Sequence, residues 1–309
     1  AVSNTTHGDF ACHSFAVLSR SGRHSAARLR PLRGQLPLGG CGLKHQGAQV
    51  FKNFIASDVE GPAGRLRTLR GGQGAPLLLL HGHPQTHVMW HAVADTLATR
   101  FTVVLMDLRG YGDSARVPSD AGHHAYSKRA MALDAMAVMR HHGFSQFQVL
   151  AHDRGARVAH RLAADHPEAV QRLMVLDIAP TLAMYDHTSD AFARAYWHWF
   201  FLIQPSPLPE ALIESDPVRY LHSVMGARHA GLAAFAPAAL AEYERCAQIP
   251  GTAMSICEDY RASATIDLVH DRTDVAAGIK LQQPLRVLWA EHGAVGRCFG
   301  VLPLWQARA

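Results

Sequence analysis

The stretch from Phe147 to His166 leaves a chain few ways to fold. FQVLAHD (Phe147–Asp153) is an apolar run of buried-strand type. ARVAHRLAADH (Ala156–His166) reads as a helix. Only Arg154 and Gly155 lie between them. The chain therefore passes from strand to helix across one sharp turn, which Gly155 permits because a side chain there would collide. Such a junction suits a parallel sheet covered by helices.

The rest of the chain keeps the alternation. Arg65–Gly72 reads as a strand and turn, and Pro76–Leu80 as a buried strand ending at His81-Gly82. Phe101–Asp107 is a second buried strand, followed by a loop at Arg109–Ser114. Ser127–His142 reads as a helix, with Met131, Met136 and Met139 at helical spacing. Leu173–Pro180 is a further buried strand, residues 181–272 are helical and aromatic-rich, and Leu285–Glu291 returns to strand character. The expected fold class is α/β, with a mostly parallel sheet and a helical cap insertion. Its core would span 50–180 and 273–309, and its cap 181–272. A length of 309 residues, 48% hydrophobic, is enough for one large domain with such an insertion.

Residues 1–49 are Ser-, Arg-, Gly- and His-rich without sustained periodicity, and are expected to be an unrelated, disordered extension. An Arg/Ser-rich, acid-poor start also fits a transit peptide. The chain opens on Ala rather than Met, so its natural start is expected upstream. The net charge of +5 belongs to this arm. Residues 1–50 hold six basic residues against the single acid Asp9, and the remaining 24 basic and 24 acidic residues cancel. The pI near 9.1 is thus poor evidence for a nucleic-acid partner. Cys12, Cys41, Cys246, Cys257 and Cys298 form no CxxC pair, and five is odd, which points to free thiols in a reducing, cytoplasmic compartment. No apolar run approaches the ~20 residues of a membrane helix, and no secretory signal is visible.

Asp153 occupies the turn in the pattern x-His-Asp-x-Gly, a nucleophile elbow with Asp in the place of Ser. A carboxylate at a helix N-terminus stays ionised. It can attack sp³ carbon, displace a leaving group and form an ester. The plainer reading is an N-cap aspartate. HGHP (His81–Pro84) ends the first core strand. In an elbow fold this loop gives a backbone N–H to the reacting centre, paired with the N–H after the nucleophile. The backbones of His83 and Arg154 are therefore the candidate donors. His81, His83 and His87 also spell HxHxxxH, but no further ligand set accompanies them, and no metal is expected. No phosphate loop or dinucleotide fingerprint appears, and no cofactor is expected.

These motifs resemble those of the fluoroacetate and haloacetate dehalogenases, a family of the α/β-hydrolase fold. The likeness covers roughly Val50 to Ala309. It rests on HGHPQTHVMWH, DLRGYGDS, YSKRAMALD, HDRGARVAHR, VLDIAP, YWHWFFLIQP, CEDYRA and VGRCF. The resemblance implies hydrolysis of a small haloacid to glycolate through an ester on Asp153. Arg154 and Arg157, the arginines of HDRGxR, would hold the substrate carboxylate, which guanidinium groups bind in bidentate fashion. His198, Trp199 and Tyr260 would receive the halide, since N–H and O–H donors aimed at the developing anion lower the barrier. Asp177 would orient a general base. Members of the family are often dimers, so a homodimer is implied, with neither nucleic acid nor membrane as partner.

The family's base is a histidine in a GHF-type block after the last core strand, and these residues reach WQARA without one. His292 is the nearest geometric stand-in. The expectation is a C-terminally truncated chain that forms the ester but hydrolyses it poorly, or one that folds poorly with a long parallel edge strand exposed. Two further readings stay open. An epoxide hydrolase shares the fold, the Asp nucleophile and HGxP, but carries an aromatic after the nucleophile and two cap tyrosines, whereas Arg154 follows Asp153. A non-catalytic fragment that binds haloacids without turnover is the other.

Overall fold

The computed structural model describes residues 50–227 and 231–309. The arm expected at 1–49 lies outside the described residues. The strands are β1 (Phe54–Gly61), β2 (Gly64–Gly71), β3 (Ala75–Leu80), β4 (Phe101–Met106), β5 (Phe147–His152), β6 (Val170–Leu176) and β7 (Leu285–Leu288). They form one seven-stranded sheet in the order β1-β2-β4-β3-β5-β6-β7. β1 and β2 make an antiparallel hairpin and β2 pairs antiparallel with β4. Every pairing from β4 to β7 is parallel.

Alternation along the central strands explains the layers. Leu78, Leu80, Val104, Met106, Val149 and Ala151 join one buried cluster. Leu77, Leu79, Val103 and Leu105 join the other. Successive side chains point to opposite faces, so strands that are apolar throughout need cover on both. On the first face lie α2 (Lys128–His141) and α3 (Asp153–Asp165), through Met131, Ala135, Val138, Ala156, Ala159 and Leu162. The second face is covered by Val88 and Trp90 with Ala94 of α1 (Ala94–Leu97). Leu78, Leu79 and Leu80 have no exposed surface, and each buried side chain contributes about 1.5–3 kcal/mol. The Ser127 side chain accepts the Ala130 N–H and caps α2 where the sequence expects its start.

Between β6 and β7 the described chain makes helices: α4 (Thr181–Asp186), α5 (Asp190–Ala195), α6 (Trp197–Leu202), α7 (Leu208–Ser215), α8 (Pro217–Gly226), α9 (Pro237–Ala247), α10 (Thr252–Ala264) and α11 (Ile266–Ala276), with a 3₁₀ turn at Gly231–Ala234. α12 (Ala294–Cys298) and α13 (Val301–Gln306) follow β7. No described helix is long and apolar enough to cross a membrane.

Four boundaries differ from the sequence expectation. β1 is an addition: its exposed outer residues give it no clear alternation. β6 starts at Val170 and stops at Leu176, because Asp177 turns into the left-handed region at φ 54°. α3 begins at Asp153 itself rather than at Ala156. β7 is four residues long, so the sheet edge it forms is short rather than the long strand expected.

His81, Asp107, Asp153 and Asp177 directly follow β3, β4, β5 and β6. Strand order reverses at β3, which lies between β4 and β5. The crevice at such a switch point, outside the carboxyl ends of the strands, is where open α/β sheets bind ligands.

Gly155 locks that crevice. Its N–H donates to the His81 carbonyl at 2.8 Å. A Cβ at Gly155 would lie 2.7 Å from the Leu80 carbonyl carbon and press on the His81 oxygen, both backbone atoms that cannot step aside. Gly155→Ala should therefore cost about 2–3 kcal/mol of stability in urea titrations. Gly143→Ala, at φ 85° with open space around it, should cost about 1–2 kcal/mol from backbone conformation alone. Equal midpoint shifts for the two would contradict the clash.

Candidate active site

Asp153 opens α3 at φ 46°, a conformation that costs a non-glycine residue about 1–2 kcal/mol. The surrounding backbone holds it there. The His83 N–H donates to Asp153 Oδ1 at 2.9 Å, which puts one of the two expected backbone donors on the carboxylate itself. Gly82 makes the approach feasible, since a Cβ there would lie 2.5 Å from the Asp153 Cβ. Burial alone would raise the Asp153 pKa. His152, Arg157, Arg154 and the His83 N–H outweigh it and hold the carboxyl down to about 2.

The histidines of HxHxxxH turn to separate partners. His81 Nδ1–H donates to the Gly82 carbonyl at 3.0 Å, and its Nε2 accepts the Leu108 N–H at 3.0 Å. His83 Nε2 meets the Tyr220 hydroxyl at 3.0 Å. His87 Nδ1 lies 2.8 Å from Asp107 Oδ1, which also accepts the His87 N–H. Burial, and then His198, push the His83 pKa down to about 3, so its ring is neutral. Among the described residues no group of three His, Cys, Asp or Glu could hold a metal ion.

Both arginines are buried beside Asp153, but neither offers an open fork. Arg154 Nε donates to Asp259 Oδ2 at 2.9 Å, and Nη2 to Asp259 Oδ1 at 2.8 Å. Its guanidinium carbon lies 4.0 Å from the centre of the Tyr260 ring. Arg157 Nη1 donates to Thr181 Oγ1 at 2.9 Å, and its guanidinium carbon lies 4.6 Å from the Trp199 ring centre. The bidentate grip expected for the substrate is, on Arg154, already spent on Asp259. Arg154 Nη1 and Arg157 Nε remain, buried and without a protein partner.

The three residues expected at the halide come from two helices and gather in one place. His198 and Trp199 lie on α6, and Tyr260 on α10. Ring centres are 6.0 Å apart for His198–Tyr260 and 6.3 Å for Trp199–Tyr260. Trp199 Nε1 and the Tyr260 hydroxyl are buried without a protein partner. Such donors are rare in a packed interior. With the two arginine nitrogens they make four donors in a site whose Asp153 is itself an anion. That arrangement can hold a second small anion.

Asp177 ends β6, and its Oδ1 accepts the Ala290 N–H at 3.3 Å. No imidazole among the described residues hydrogen-bonds to it. His292 is exposed, and its carbonyl accepts Arg297 Nη1 at 2.8 Å. Two residues not singled out in the sequence also belong here. Tyr220 binds His83. Asp259 anchors Arg154 together with Ser263. Both pairings join residues more than a hundred positions apart, and no local spacing reports them.

Comparisons with known proteins bear on the fold and the family. The family model described as alpha/beta hydrolase fold matches residues 75–220. Fluoroacetate dehalogenase from Burkholderia sp is 43% identical over 260 residues, covering 84% of this chain and 85% of that protein. Soluble epoxide hydrolase from Corynebacterium sp. (strain C12) is 32% identical over 249 residues, covering 78% and 82%. The crystal structure of an α/β hydrolase from Nostoc sp PCC 7120 superposes with a TM-score of 0.81 at 54% identity, covering 83% of this chain and 88% of that one. The chain belongs to the fluoroacetate dehalogenase family of α/β-fold hydrolases.

A depressed carboxylate pKa means that charge is lost only as pH falls through the folded value. Any esterification of Asp153 by a small alkyl halide should therefore run at constant rate from neutral pH down to about pH 4. Rates of Asp153 labelling at fixed reagent concentration check this. Half-loss of rate near pH 4 would mark an ordinary carboxylate.

Proposed function

We propose that this protein dehalogenates small haloacetates, and that Asp153 is the nucleophile. The observation that carries the reading is an ionised Asp153 in company with four buried, unpartnered donors on Arg154, Arg157, Trp199 and Tyr260. Arg154 and Arg157 receive the substrate carboxylate. The free carboxylate oxygen of Asp153 attacks the carbon that bears the halogen, and the C–O bond forms as the carbon–halogen pair departs with the halide. Trp199 N–H, Tyr260 O–H and His198 receive that halide. Water then attacks the ester carbonyl, whose oxygen is the one already held by the His83 N–H, and glycolate leaves. The second half needs a base to take the proton of that water. We assign the orienting of that base to Asp177, which follows β6.

An epoxide hydrolase is the second reading, favoured by the relative at 32% identity, by the Tyr220 hydroxyl on His83 and by the Tyr260 hydroxyl, whose pKa is raised by burial and then by Asp153. The unpaired guanidinium nitrogens of Arg154 and Arg157 favour a carboxylate over a neutral epoxide.

Exposure of the 309-residue chain to fluoroacetate should release fluoride. One carboxymethyl group should be retained on the peptide that carries Asp153, and Asp153→Ala should abolish both. Intact-mass and peptide-mapping spectrometry read this directly. Fluoride release with no adduct on Asp153 at any time would overturn the nucleophile assignment. Diol formation from styrene oxide without fluoride release would favour the second reading.

A further inference from the structure

We propose that Asp259 is a positioning residue that divides the carboxylate clamp, so that Arg154 and Arg157 each present a single nitrogen, one to each oxygen of the substrate carboxylate. The inference rests on the haloacid reading above and adds to it how the acid is told from its neutral isosteres.

The geometry of Arg154 leaves little freedom. Asp259 takes Nε and Nη2 through its two carboxylate oxygens, and its carbonyl accepts Nη2 at 2.7 Å. Ser263 Oγ accepts Nη2 at 2.5 Å. The Tyr260 ring covers one face of the guanidinium. Nη1 is the nitrogen left. Asp259 is in turn held by the Tyr111 hydroxyl, which donates to Oδ2 at 2.7 Å, and by Lys128 Nζ on Oδ1. Asp259, Tyr260 and Ser263 share α10, so one helix supplies the anchor of Arg154, its stacking partner and a donor of the site.

Arg157 is restricted in the same sense by different atoms. Thr181 Oγ1 and the Ala179 carbonyl take Nη1, and Met184 Sδ lies 3.3 Å from Nη2. The Trp199 ring lies against its guanidinium. Nε is left. Two separate single donors define the plane of a carboxylate by both its oxygens. An amide of the same size offers one acceptor oxygen and turns an N–H₂ toward the other donor, which leaves that buried donor unpaired.

Aim and net charge make opposite predictions when Asp259 is neutralised. A site that attracts the acid by charge alone gains affinity when a neighbouring negative charge is removed. A site that works by aimed donors loses affinity, because Arg154 is no longer held in place. The experiment compares the unmodified chain with Asp259→Asn. It measures acetate binding by calorimetry and labelling of the Asp153 peptide by chloroacetate and by chloroacetamide.

Asp259→Asn should weaken acetate binding and slow chloroacetate labelling about tenfold to a hundredfold, while chloroacetamide labelling stays within about twofold. Unchanged or stronger acetate binding would overturn the proposal, and so would equal losses for acid and amide. If Asp259→Asn does not fold, Tyr111→Phe, which removes one hydroxyl donor to Asp259 and no charge, decides. It should lower the acid-to-amide ratio in the same direction, and a native ratio would sink the idea. Failure of the unmodified chain to label at Asp153 would count against the haloacid reading alone, because acetate binding still tests the clamp.

Discussion

The contact between the loop after β3 and the turn after β5 is the constraint on which this site depends. Gly155 lets two backbones, and Gly82 a backbone and the Asp153 side chain, approach to distances that any Cβ would forbid. In return the His83 N–H reaches Asp153 and the Gly155 N–H reaches His81. Those two hydrogen bonds keep Asp153 in a left-handed conformation that an isolated aspartate would leave. The parallel pairing of β3 with β5 over Leu77–Leu80 and Gln148–Ala151 sets this approach, so the core is what positions Asp153.

The helices between β6 and β7 add what the sheet lacks. The strand ends offer carboxylates and backbone N–H groups. The donors suited to an anion come from α6 and α10, and from the arginines of α3 that those helices orient. Aromatic faces take part in the orientation, with Tyr260 against Arg154 and Trp199 against Arg157. A desolvated cation over an aromatic face gains about 2 kcal/mol, and the stacking leaves only guanidinium edges for hydrogen bonding. Each ring that packs an arginine also carries one of the unpartnered donors, so arginine placement and anion reception are coupled through the same side chains.

How much of this was legible in the sequence follows from how local each signal is. The apolar runs of β3, β4 and β5 are buried on both faces and could be read directly. β1 could not, because an edge hairpin strand with exposed residues such as Ile55 has no pattern to read. Asp153, Gly155 and the HGHP loop sit next to one another in motifs of a few residues, and the elbow was found. The use of the Arg154 fork was not legible. It depends on Asp259, 105 residues away, and no local pattern reports a pairing at that separation. The nearby CEDYRA block pointed to Tyr260, whereas its aspartate proved to hold the arginine. The end of β6 was misjudged because VLDIAP looks uniformly strand-like, while the backbone turns at Asp177.

Charge balance explains why placement, rather than total charge, has to select the substrate. Arg154, Arg157 and Lys128 are three buried cations, and three carboxyls stand around them, Asp259 and Asp267 buried and Asp153 partly so. The set is therefore close to neutral before any acid enters. An incoming carboxylate meets the Asp153 anion, and two like charges about 4 Å apart at the effective dielectric of a protein repel by roughly 4 kcal/mol. A near-neutral cluster cannot offset that by its overall field. Short, charge-assisted hydrogen bonds can, because their strength is set at the donor atom. The buried carboxylate that fixes a donor then matters as much as the cation that carries it.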